Sequence, residues 1–108
     1  MTRQPAPLLR PGAETHVRLA PQWHVVLLDD DDHTYEYVIE MLGRLFGHAQ
    51  ATAWRMAREV DTAGRVIVYT SHRERAELKQ EQIHGYGADP RIPRCRGSMS
   101  AALEPAPG

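Results

Sequence analysis

Two apolar runs set the frame of this chain. Trp23–Leu28 reads WHVVLL and residues 65–70 read RVIVYT. Both are short and rich in β-branched and aromatic side chains, which suit a pleated, half-buried surface. Each predicts a strand. The residues between them carry helical spacing instead. Val38, Met41, Leu42, Leu45 and Phe46 share one face, and Gly47 stands where that helix should stop. Thr34 is placed to cap it, and acids before a helix N-terminus suit its dipole. A second helix, residues 49–60, presents Ala53, Met56, Ala57 and Val60 on one side, with Gly64 in the turn after it.

Beyond the second run, Ser71-His72-Arg73-Glu74 has the form of a capping box, serine followed three residues later by glutamate. It predicts a third helix to about residue 86, closed by Gly85, Gly87 and Pro90. Residues 92–99 are read as a third strand, interrupted by Pro93 and Gly97. The order β-α-α-β-α-β predicts an α+β fold: a small three-stranded antiparallel sheet with three helices packed on one face. Residues 1–21 contain Pro5, Pro7, Pro11 and Pro21 with little apolar periodicity, and are read as a flexible arm. Residues 100–108 end in EPAPG and are read as a disordered tail. The folded domain is then residues 22–99.

Composition narrows the function classes. The formal net charge of −1 lacks the basic excess of a nucleic-acid binder. Charge is local instead: Asp29, Asp30, Asp31 and Asp32 are consecutive, and Arg91, Arg94 and Arg96 make a basic patch. The single cysteine, Cys95, is read as a small apolar residue in or near a strand, and a lone thiol fits a reducing cytoplasm. No secretory h-region and no membrane-length apolar window occurs. The acidic run lacks the spaced ligands and the bend glycine of a Ca²⁺ loop, and the histidines lack zinc-ligand spacing. No nucleophile elbow, HExxH or phosphate loop is present. These features predict no enzyme, no metal and no cofactor.

Three stretches carry a family resemblance: VVLLDDDDHTYEYVIEML at residues 25–42, AREVDTAGRVIV at 57–68 and RERAELKQEQIHGYG at 73–87. They resemble, in order, the first strand, acidic turn and first helix; the second helix end, turn and second strand; and the third helix of the ClpS adaptor family. That fold is also the one of the ribosomal stalk protein's C-terminal domain. The resemblance implies a monomeric, cytoplasmic, non-enzymatic adaptor. Such a protein binds the free N-terminal amine and the bulky first residue (Phe, Tyr, Trp or Leu) of N-degron proteins. It delivers them to the N-terminal domain of a Clp-type AAA+ unfoldase. A rival reading keeps the docking on the ATPase and drops classical N-degron recognition.

The same resemblance implies the site. Asp29, Asp30, Asp31, His33 and Asp61 match the positions that meet the α-amino group and peptide backbone. A slip of one residue in the aspartate run would exchange Asp29 and Asp30. Tyr35, Val38, Ala57 and Val60 match the apolar pocket, and Glu74 and Lys79 match ATPase-docking positions. The chain departs from the family at several of these places. Asp29 replaces the usual asparagine, His33 a threonine and Asp61 a histidine, while Tyr35 and Ala57 replace methionines. An ionised aspartate only accepts hydrogen bonds, and an ammonium only donates, so a cationic ligand is still served. Losing a long side chain at residue 57 predicts a looser pocket, refilled in part by Tyr35.

Overall fold

Strand β1, Trp23–Leu28, is the axis of the fold. The computed structural model describes residues 21–107. In it β1 lies between β2, Arg65–Ser71, and β3, Ala101–Pro105, and pairs antiparallel with both. Val25, Val26 and Leu27 are fully buried, as expected of a central strand whose apolar residues run consecutively. The β1–β2 register shifts between Val25 and Val26, whose partners are Tyr69 and Ile67. Val68 is the extra residue of that bulge, and Val66 and Val68 both reach the core.

Three helices complete the fold: α1, Tyr35–Phe46; α2, Gln50–Ala63; and α3, Arg73–His84. Thr34 caps α1 as its position predicts, its Oγ1 accepting from the Tyr37 N–H at 3.1 Å. Gly47, at φ 72°, ends α1 in the left-handed conformation that a side chain would strain. Tyr37, Val38, Met41 and Leu42 of α1 pack with Ala53, Ala57 and Val60 of α2 and with Ala76 and Ile83 of α3. Truncating a core residue such as Leu42 to alanine would cost about 2–5 kcal/mol, because the hollow left behind collapses only in part.

Several local readings are corrected. The third strand is Ala101–Pro105, not residues 92–99, so the supposed tail supplies the edge of the sheet. Residues 92–99 hold turns instead: Ile92 and Cys95 donate their N–H groups to the carbonyls of Asp89 and Ile92. Cys95 therefore lies in a loop, where its Sγ accepts from the Asp89 N–H at 3.2 Å. Ser71 closes β2 rather than capping α3; the cap position is His72, without a side-chain cap bond. The arm read over residues 1–21 lies, but for Pro21, outside the described residues. No helix among the described residues is long and apolar enough to cross a membrane.

Candidate functional site: an acid-rimmed hollow between two helices

The end of β1 is tied to the turn after α2. The Asp29 N–H donates to the Gly64 carbonyl at 3.0 Å. That bond brings the acidic turn beside the C-terminal end of α2, where Asp61 stands. Between α1 and α2 a small cavity of about 30 Å³ remains. Val38, Ala57, Val60 and Met99 supply its apolar wall. Asp29, Asp30, His33, Thr34, Tyr35 and Asp61 supply the rest. The floor is firm, since Val38, Ala57, Val60 and Met99 are all buried.

The rim residues are not alike. Asp30 Oδ1 accepts from the Asp32 N–H at 2.9 Å and lies 2.7 Å from His33 Nδ1. It holds the turn in shape. His33 Nε2 lies 2.8 Å from the Gly97 carbonyl, so the ring joins the acidic turn to the loop before β3. Both neighbours are acceptors, and both contacts are hydrogen bonds together only when the ring carries both protons. Asp29 is exposed and makes no comparable side-chain bond. Burial of its carboxyl, then the charges of Asp61, Asp30 and Asp31, push its pKa above the ordinary 3.8, against the lowering effect of the Asp30 N–H. Concentrated negative charge of this kind suits a cation. Asp61 is engaged: the Tyr35 hydroxyl donates to its Oδ2 at 2.8 Å. The carboxylate holds the Tyr35 phenol above its usual range, chiefly through that bond.

One residue that organises the site has no signal in the sequence patterns. Asp89 is 1% exposed. Its Oδ2 accepts from the N–H and hydroxyl of Thr34, at 2.7 and 2.8 Å. Its Oδ1 accepts from the N–H and guanidinium of Arg91, at 3.0 and 3.2 Å. Burial would raise the pKa of this carboxyl, yet these donors together bring it down to about 2. Asp89 thereby fixes Thr34, the first turn of α1 and one side of the hollow. Met99, from the same loop, was also unforeseen as lining. Only a strand register or a contact across the fold would have revealed either.

Of the residues matched to the family site, Asp29, Asp30, His33, Tyr35, Val38, Ala57, Val60 and Asp61 line one hollow. Asp31 does not; it is exposed, and its carbonyl accepts from Arg94. Asp32 is likewise drawn to Arg94, at 2.7 Å. The basic patch thus pairs in part with the acidic run. Glu74 is exposed on α3. Lys79 is folded back: its Nζ donates to the Leu45 carbonyl at 2.5 Å and lies 5.4 Å from the Phe46 ring centre. Five residues turn a helix by roughly 500°, so the two side chains leave α3 in different directions.

Residues 18–92 match a family of protease adaptors, proteins that are not themselves enzymes. The family is that of the ATP-dependent Clp protease adaptor protein ClpS, and this chain belongs to it. The ClpS adapter of Nostoc sp. is 31% identical over 85 residues, covering 76% of this chain and 88% of its own. That of Hydrogenovibrio crunogenus is 32% identical over 81 residues, covering 75% and 78%. The same fold occurs in the structure of Agrobacterium tumefaciens ClpS2 bound to L-phenylalaninamide. There the TM-score is 0.69 and the identity 24%, over 81% of this chain and 99% of that one.

Proposed function

We propose that this adaptor captures proteins by a free N-terminal amine and a bulky hydrophobic first residue, and presents them to the N-terminal domain of a Clp AAA+ unfoldase. The observation that carries the reading is that Asp29 and Asp61, from separate segments, line one hollow whose apolar wall includes Val38, Ala57 and Val60. An α-ammonium offers three N–H donors and a positive charge. Two carboxylates from separate segments accept those donors and balance that charge. The side chain beside the amine is then directed between α1 and α2. The ligand of the Agrobacterium protein, L-phenylalaninamide, has this chemistry. On this reading Glu74 is the exposed part of the ATPase-docking face, and Lys79 joins it by leaving the Leu45 carbonyl. The adaptor acts as a monomer in the cytoplasm.

One observation favours a second reading. The hollow is about 30 Å³, too small for an aromatic ring as it stands. A domain that docks on the ATPase and modulates it, without N-degron capture, would have no need of a larger one. Fluorescence anisotropy with a labelled peptide beginning in Phe, beside a pull-down with the ATPase N-terminal domain, separates the two. Binding in both assays supports the adaptor. Binding to the N-terminal domain alone supports the modulator.

A further inference from the structure

Tyr35 and Asp61 both line the hollow, and they are bonded to each other across its mouth at 2.8 Å. The hydroxyl belongs to the first residue of α1 and the carboxylate to the last turn of α2. The bond therefore staples the two helices on the side where a ligand would enter. It also takes up Oδ2 of the carboxylate that an incoming ammonium would meet. We infer that Tyr35 is a latch: its ring and hydroxyl close the hollow over Asp61, and a ligand is held only after the latch is displaced. The inference rests on the proposed amine-binding role of the hollow and adds how that site selects its occupant.

Two physical points give the latch its direction. The first is charge. A neutral phenol donates one hydrogen bond to Asp61, whereas an ammonium brings full charge and several donors. A cationic ligand can displace the hydroxyl; an acetylated one offers Asp61 only a single uncharged N–H in exchange for the lost bond. The second is volume. Ala57 leaves space in the floor, but about 30 Å³ holds little more than a water-sized group. A bulky side chain enters only when the Tyr35 ring swings away. The closed state therefore lowers the apparent affinity for every ligand by the fraction of molecules that are open. The latch makes the site demand both features at once: a free amine to take Asp61, and a side chain large enough to hold the ring aside.

Tyr35→Phe keeps the ring and removes the hydroxyl. Tyr35→Ala removes both. The latch predicts that Tyr35→Phe binds a free-amine Phe peptide about three- to tenfold more tightly than the unaltered protein, the scale of one lost hydrogen bond. Tyr35→Ala should bind at least as tightly and extend acceptance to smaller first residues such as Val. Equal or weaker binding by Tyr35→Phe overturns the latch while leaving the amine-binding reading intact. No binding by any of the three proteins overturns that reading instead. A ligand-free check keeps the latch testable even then. In a ¹³C-tyrosine NMR titration, Tyr35 should deprotonate at higher pH than an ordinary tyrosine and return toward the ordinary value in Asp61→Asn. Asp61, Arg58 and Asp29 are the charged groups that face it. An unchanged titration in Asp61→Asn contradicts the closed arrangement.

Discussion

Asp89 and Asp29 flank the same helix start, and the protein treats them in opposite ways. Asp89 is buried and accepts four hydrogen bonds, from Thr34 and Arg91, and its pKa falls to about 2. Asp29 is exposed, lacks such donors and faces other carboxylates, and its pKa rises. One residue type thus does two jobs. Where donors converge, a carboxylate welds a loop to a helix cap. Where acceptors converge, it is left short of positive charge, and an external cation is what would complete it.

The largest test of this contrast is Asp89→Ala, which leaves Thr34 and Arg91 without their acceptor. It should lower folding stability by about 3 kcal/mol, read as a shift of the urea midpoint. The same carboxylate sets an acid limit. Its folded pKa of about 2 lies below the ordinary 3.8. Its contribution is therefore complete above that ordinary value and is lost as pH falls toward 2, to the extent of about 2 kcal/mol. Asp89→Asn should flatten that part of the stability–pH curve. If the curve keeps its slope, Asp89 is not the group responsible.

Asp29→Ala should behave in the reverse manner. Stability should move by less than about 0.5 kcal/mol, since the side chain is exposed and its one donor is the neighbouring Asp30 N–H. Affinity for a free-amine peptide should fall about tenfold, or about 1.4 kcal/mol. The raised pKa gives the sign of the pH dependence. Asp29 takes up its proton at a higher pH than an ordinary aspartate, so amine binding should start to weaken earlier on acidification. A profile that is flat down to pH 4 would remove Asp29 from the site. The smallest effect is expected at Arg94→Ala. That side chain is 68% exposed, and its bond to Asp32 should be worth less than about 1 kcal/mol. A larger loss would mean that the outer half of the acidic run is structural as well.

What could be seen in advance follows the same division. β1, β2 and the three helices are legible because their patterns are local: apolar runs, a helical stripe, Thr34 before α1 and Gly47 after it. The edge strand Ala101–Pro105 is not. AALEP has little β-preference of its own and becomes a strand because β1 offers it an unpaired edge from Trp23 to Leu27. Ser71 kept the letters of a capping box, but the sheet claimed it first. The site divides likewise. Asp29, Asp30, His33, Tyr35, Val38, Ala57, Val60 and Asp61 come together, because they sit on or beside elements whose packing the pattern predicts, whereas Asp31 turns away and Glu74 and Lys79 diverge on α3. Asp89, and the bond between Tyr35 and Asp61, depend on contacts between segments far apart in the chain. No spacing rule reports such pairs.

Titrating one phenylalanine-initiated peptide in two forms, free and N-acetylated, against the intact protein at neutral pH tests the amine site most directly. The account predicts saturable binding of the free form and at least tenfold weaker binding of the blocked one. Equal affinity for the two forms would contradict it.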